Sequence, residues 1–431
     1  MAALSDEIDT VKFVHTYGAG LHSGDADPDV HDPRWQRGQV DDFVEFAVLA
    51  EELGFDGITL TEHHAPLMVC PSPHLLLAAA AVKTSRIRLG TAVTVLPLYS
   101  PLRIAEEAGT LDLLSDGRFE LGLGRGIPGE AQIAAGRNLS DTDLKRAWLE
   151  GVEVVNLALT ERDFTFDGEF YPVERPTTIA TRPLQDRLPV WLGGSSKETM
   201  RLAASRGWNV MRNFGSNQEH RDALEDYIKV AAENGHARSG ANMMIERFVA
   251  IGETEEKAER NLGSLIEAFG QFLTLYAAGG RRSIPETDGE FRVDRGAARK
   301  NRPAIAVSGT ADQIADALQQ VIDETGAERA ECGGSLAAAG GRVPCGDEQL
   351  GQLVSGSGVL RGFVVAPAPG EPREAHGESG IVSDLAPGGG VVRRQGQLGA
   401  QDFQDQPRLE PDVRLLASVN PGGLVGAQER R

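Results

Sequence analysis

Three short stretches hold residues whose types and spacing could do chemistry together. The first is Glu62-His63-His64, which ends the stretch FDGITLTEHH (55–64), read as a buried parallel strand. An imidazole titrates near neutral pH, so it can move a proton or hold a substrate oxygen by a hydrogen bond. The plainer alternative is a histidine that only packs. Adjacent histidines on a strand point apart, and no third ligand is spaced to join them, so no metal site is expected. The second stretch is Gly122-Leu123-Gly124-Arg125-Gly126. A guanidinium can clamp a phosphate bidentately, and the small residues before it leave room for a planar ring to approach the backbone. Taken alone, Arg125 would also suit a solvated surface. The third is Gly194-Ser195-Ser196 with Thr199, at the start of a helical pattern. Backbone N–H groups there can seat an anion. Ser195 and Glu198 also read as an S-x-x-E capping box, and the two roles are compatible.

Each stretch needs an element to hold it. Strands are expected at 11–17, 55–64, 87–95, 118–124, 188–193, 208–212 and 243–252, with a last one beginning at 328–331. Helical spacing appears at 40–53, 73–83, 101–114, 144–159, 196–206, 218–234, 255–269 and 311–325. Residues 18–38 read as a Gly-, Asp- and Pro-rich loop, and 164–171 as a hairpin around Asp167-Gly168. Residues 277–302 are aperiodic. Strand-helix alternation predicts a parallel sheet, and eight strands predict a closed TIM (β/α)8 barrel rather than a doubly wound sheet. All three stretches then follow strands, which puts them at the catalytic, C-terminal mouth of the barrel. By alternation Ile58, Leu60 and Glu62 face the helices. His63 shares the inward face with Gly57, Thr59 and Thr61, which leaves Glu62 at most a supporting role. Trp191 and Trp208 are expected in the core.

The chain has 431 residues and a formal charge of −20. That charge argues against nucleic-acid and anionic-membrane partners, which require a basic face. The three cysteines, Cys70, Cys332 and Cys345, form no C-x-x-C pair and suggest neither disulfides nor zinc. The acidic start lacks the apolar core of a signal peptide, and no apolar run is long enough to span a bilayer. A cytoplasmic, soluble protein is expected. Composition breaks near residue 330, since Lys300 is the last lysine. The barrel domain is therefore placed at 1–330. The Gly-, Pro- and Arg-rich stretch 331–431 is expected to be a disordered tail, or an out-of-frame reading of GC-rich DNA, rather than a second domain. No convincing eighth helix follows the last strand, and a barrel short of its eighth unit would have an open edge.

Four segments, ITLTEHH (58–64), GTAVTVLP (90–97), DGRFELGLGRG (116–126) and PVWLGGSSKET (189–199), together resemble the bacterial luciferase-like monooxygenases. The phrase FDGEFY (166–171) fits the same family, and the resemblance covers about residues 11–331. It implies a TIM barrel that binds reduced flavin or a deazaflavin at its C-terminal mouth. His63 matches the family's active-site histidine. Arg125, Gly194, Ser195 and Thr199 match its phosphate-binding positions. Ala92-Val93 matches the place of a non-proline cis peptide beside the flavin ring. Where the family often has an aromatic residue after GRG, this chain has Ile127-Pro128. Residues 277–302 fall where the family has a mobile lid.

The resemblance implies a monooxygenase that uses reduced FMN from a separate flavin reductase, together with O2, to oxygenate a small organic substrate. No dinucleotide-binding fingerprint is present, in keeping with an outside source of electrons. The alternatives are a deazaflavin-dependent oxidoreductase that transfers hydride on the same barrel, and a catalytically impaired flavin-binding protein without its eighth unit. A homodimer formed through helices beside the second and third strands is also implied.

Overall fold

In the computed structural model, residues 12–17, 29, 31–64, 70–126, 140–213, 215–277 and 306–333 are described. The elements run β1 (Lys12–Tyr17), α1 (Pro33–Leu53), β2 (Gly57–Leu60), α2 (Pro73–Ala81), β3 (Arg88–Thr91), β4 (Thr94–Val95), α3 (Pro101–Leu114) and β5 (Phe119–Gly124). There follow α4 (Asp141–Thr160), β6 (Phe164–Phe166), β7 (Val173–Thr177), β8 (Val190–Gly193), α5 (Lys197–Arg206), β9 (Asn209–Arg212) and α6 (Asn217–Glu233). The last are β10 (Met243–Ile251), α7 (Glu255–Ala277), β11 (Ala306–Gly309), α8 (Ala311–Thr325) and β12 (Arg329–Gly333).

Parallel pairings run from β1 through β2, β3, β5, β8, β9 and β10 to β12. β12 pairs in turn with β1, Lys12 opposite Arg329 and Thr16 opposite Gly333. The ring is closed, which corrects the expectation of an open edge. The last strand is whole and runs to Gly333, three residues past the compositional break. The ground for an impaired barrel therefore falls away as far as that strand is concerned; the missing eighth helix and the tail lie outside the described residues. β4 adds to β5 near the mouth, and β11 pairs with the end of β10.

Three local readings shift. The expected loop 18–38 gives way to helix at Pro33, because Asp32 caps the turn by accepting from the Arg34 N–H and Pro33 suits the first helical position. Gly54 ends that helix at φ 86°. The 164–171 hairpin opens wider than expected, and its second strand is β7. The Glu150 carboxylate takes the N–H groups of Glu169, Phe170 and Tyr171, which holds the connecting loop away from a tight turn. β11 has no counterpart among the expected strands.

The faces divide as alternation requires. Ile58, Leu60, Leu89, Leu121, Leu192 and Val210 join the outer core against the helices, with Trp208. Val14, Trp191, Met211 and Met244 fill the interior, packed with Ala92 and Val93. At the N-terminal end the Glu120 carboxylate takes the Trp191 indole N–H at 2.6 Å and pairs with Arg88 and Arg329. A cavity of about 380 Å³ opens at that end, lined by Lys12, Arg88, Glu120 and Arg329 among others. No described helix is long and apolar enough to cross a membrane.

His15, on the outer face of β1, lies 4.6 Å from Phe46, ring centre to ring centre, with Phe55 and Tyr17 also against it. Burial pushes its pKa from 6.5 down to about 3. The unfolded chain then binds a proton that the folded chain refuses, so stability is full above about pH 6.5 and falls as pH drops toward 3. Between about pH 6.5 and about pH 5 this group should cost on the order of 1–2 kcal/mol. Urea unfolding at those two pH values should show His15→Phe losing less stability than the wild type by about that amount; equal losses would contradict it.

Candidate active site

β2 and β5 are parallel, so Glu62-His63-His64 and Arg125 emerge at the same end of the ring. The turn 194–196 follows β8 and joins them there. Ala92 and Val93 sit between β3 and β4 at that mouth.

The histidine pair is organised differently from the alternation reading. β2 stops at Leu60, so strand parity does not carry through to residue 63. His63 is half-buried, and its N–H bonds the Cys70 carbonyl at 3.3 Å in an isolated antiparallel bridge. The Cys70 thiol donates to the Thr61 carbonyl. Burial, then the nearby Glu62 charge, pushes that thiol's pKa well up, which keeps it a donor. Glu62 does more than the sequence reading allowed. Its fully buried carboxylate accepts from the Val95 N–H at 2.8 Å and from the Tyr99 hydroxyl and His64 Nε2 at 2.9 Å each. Burial and Glu62 together push the Tyr99 phenol pKa up, so it stays a donor. The pair backed by a carboxylate is therefore Glu62–His64, and the E-H-H spelling alone could not say which histidine Glu62 would hold.

The glycines of β5 and β8 make room for a neighbouring segment of the chain. A Cβ on Gly122 would lie 1.8 Å from the Thr91 carbonyl oxygen. One on Gly124 or Gly193 would lie 2.2 or 2.5 Å from Val93 side-chain carbons. The space they leave is occupied by the Thr91–Val93 backbone and side chains, so they seat that segment rather than a ring directly. The Ala92–Val93 peptide is cis, as the resemblance implied.

Arg125 is exposed immediately beyond β5. Ile127-Pro128 and nearly all of the 277–302 segment lie outside the described residues. At α5 the cap falls one residue later than expected. Ser196, not Ser195, takes the Thr199 N–H at 3.2 Å and meets the Thr199 hydroxyl at 2.9 Å. Glu198 turns to Lys145 instead. Gly194 sits at φ 148° and donates to the Met211 carbonyl. The first-turn N–H groups of α5 have no carbonyl a turn earlier to accept them, and the neighbouring Ser195 is exposed. A phosphate therefore suits this start, and the apolar wall of Ala92 and Val93 suits a ring.

Sequence reading missed the brace behind the turn. Arg212 Nη1 reaches the Ser195 carbonyl at 3.3 Å, and its Nε donates to His220 Nδ1 at 3.0 Å. Arg247, 1% exposed, donates to the Gly215 carbonyl and Asn217 Oδ1. Burial, then Arg247 and Arg212, pushes the His220 pKa down to about 3, so it stays neutral between two cations. Only the position of Arg212 at a strand end hinted at this.

Removing Glu62 should strand one buried donor, the Val95 N–H, and two half-buried ones, the Tyr99 hydroxyl and His64 Nε2. Glu62→Leu is expected to cost about 3 kcal/mol or more, and Glu62→Gln, which keeps the shape but has one acceptor oxygen, about 1–3 kcal/mol. Urea denaturation measures both, and changes within about 0.5 kcal/mol would refute the hub.

Comparison with known proteins follows the same lines. Residues 20–329 match the family model described as luciferase-like monooxygenase. The oxygenase component of flavin-dependent trigonelline monooxygenase from Acinetobacter baylyi is 28% identical over 244 residues, 53% of this chain and 64% of that protein. The matched stretch thus spans a little under two thirds of that relative's length. The alkanal monooxygenase alpha chain of Photorhabdus luminescens is 26% identical over 305 residues, 67% of this chain and 83% of that protein. In fold, the chain is similar to the oxygenating constituent of 3,6-diketocamphane monooxygenase from Pseudomonas putida, solved with FMN. The TM-score is 0.57 at 21% identity, over 75% of this chain and 91% of that one. With the family model matching residues 20–329, well over half of the chain, the chain belongs to the luciferase-like monooxygenase family.

Proposed function

We propose that this chain is the oxygenase of a two-component flavin-dependent monooxygenase, taking reduced FMN from a separate reductase and oxygenating a small organic substrate with O2. The observation that carries the reading is the gathering of an imidazole pair, an exposed guanidinium and a helix start suited to phosphate at one end of a closed ring.

Bound reduced flavin would supply the electrons that activate O2. The chain's own residues hold and protect it. Arg125 clamps the phosphate from one side, and Gly194, Ser195 and the Thr199 turn cradle it from the other. Ala92 and Val93 form the wall for the ring. His63 moves a proton at the reacting centre. His64, oriented by Glu62, offers a second imidazole at the same mouth. The catalytic unit is the barrel, residues 1 to about 333, and the stretch beyond it contributes no chemistry in this reading.

A homodimer through α2 and α3 is part of the proposal. Leu75 is 74% exposed and Val82, just past α2, is 65% exposed; Leu113 and Leu114 on α3 are also exposed. Exposed large apolar side chains on neighbouring helices suit a partner surface. Leu75→Glu should shift the species seen by analytical ultracentrifugation from dimer to monomer, and a monomeric wild type would end that part.

Anaerobic titration with reduced FMN tests the cofactor. Arg125→Ala should weaken binding roughly 10- to 100-fold, the loss of a charge-assisted contact to phosphate. Unchanged affinity would contradict the assignment. Tight binding of a reduced deazaflavin with none of FMN would move the chain to the hydride-transfer alternative.

A further inference from the structure

His74 is a buried titratable group that the proposed reaction does not use. It is the second residue of α2, and its side chain is 8% exposed. Its Nδ1 lies 2.7 Å from Glu107 Oε2 on α3, and its Nε2 lies 2.9 Å from the Thr94 hydroxyl. The Thr94 hydroxyl lies 3.1 Å from that of Thr91. The Thr91 hydroxyl donates to the Gly122 carbonyl at 2.8 Å and accepts the Gly122 N–H at 3.0 Å. One line of hydrogen bonds therefore runs from α3 through α2 to β5. It grips the two threonines that flank Ala92 and Val93.

The line has a direction. A threonine hydroxyl carries one hydrogen. That of Thr91 goes to Gly122, and that of Thr94 goes to Thr91. Thr94 must then accept from His74 Nε2, while Glu107 accepts from Nδ1. Arg103 Nε donates to the other Glu107 oxygen at 2.8 Å. The His74 hydrogen bond first, then that of Arg103, holds the Glu107 carboxyl below the usual range, so it remains an acceptor. Tyr99 lies 6.5 Å from the His74 ring and Phe119 6.3 Å, centre to centre. Buried donor chains that are satisfied throughout rigidify what they touch.

We propose that His74, anchored on Glu107, is a positioning residue for the flavin seat, fixing the Thr91–Thr94 bend against which the ring rests. The proposal rests on the flavin reading above. It gives a role to a residue pair on α2 and α3, outside the mouth itself, and it requires no contact between His74 and the cofactor. Thr94 is the link that transmits the constraint.

The test is binding of reduced FMN under anaerobic conditions to the full chain and its variants, well below each variant's unfolding temperature, with folding checked by circular dichroism. His74→Leu and Thr94→Val should each weaken binding about tenfold, and the double variant should be no weaker than either single one, because both cut the same line. Thr94→Ser, which keeps the hydroxyl, should restore wild-type affinity. Should His74→Leu fail to fold, the Thr94 pair carries the test. Unchanged affinity in the folded variants, or effects that multiply in the double variant, would each overturn the proposal. If the wild type binds no reduced FMN, the flavin reading fails first and this proposal falls with it; if only the variants behave as wild type, this proposal alone fails.

Discussion

Lys12 to Thr16 and Arg329 to Gly333 run side by side, and the mouth depends on that pairing. A parallel sheet has no short way to join its ends, because each strand must return through a helix before the next. Only when the last strand meets the first do eight strand ends face one another across a single opening. Here β12 lies between β10 and β1 and removes both edges at once. The groups that follow β2, β5 and β8 then share one end of the molecule, though they are spread over more than a hundred residues of the chain.

Inside the ring, small residues decide what can stand where. The Thr91 carbonyl occupies space that any side chain at position 122 would need, and Val93 occupies the space beside Gly124 and Gly193. The bend between β3 and β4 is thus set into the barrel wall by its neighbours' lack of side chains. Polar groups complete the fit, and they do so in buried settings where an unmet hydrogen bond is costly. Glu62 satisfies three donors from two segments. Arg212 and Arg247 satisfy carbonyls of two adjacent turns, without a carboxylate among the acceptors found for them. The mouth is held by this one carboxylate and these two guanidinium groups as well as by apolar packing.

Much of this was legible in the chain. The strand-helix rhythm fixed the architecture, because apolar spacing in 87–95 or 311–325 reflects burial directly. The order of E-H-H, GLGRG and GGSSKET placed the candidate groups after strands. What escaped reading depended on side chains meeting across elements. Alternation predicts where His63 would point only while β2 continues, and it ends at Leu60. The cap on α5 could fall at Ser195 or Ser196, since both precede the helix, and local spelling favoured the wrong one. The glycines of β5 correctly signalled a close approach, but their sequence could not say that the approaching group is the Thr91 backbone. The compositional break near 330 suggested a broken barrel, whereas five residues of β12 suffice to close it.

The most direct measurement is a crystal structure of the anaerobic complex with FMN. The account predicts the phosphate within hydrogen-bond distance of the α5 start and Arg125, with the ring against Ala92 and Val93 and an imidazole of the His63-His64 pair facing it. A phosphate held instead at the opposite end, in the cavity beside Arg88 and Arg329, would contradict it.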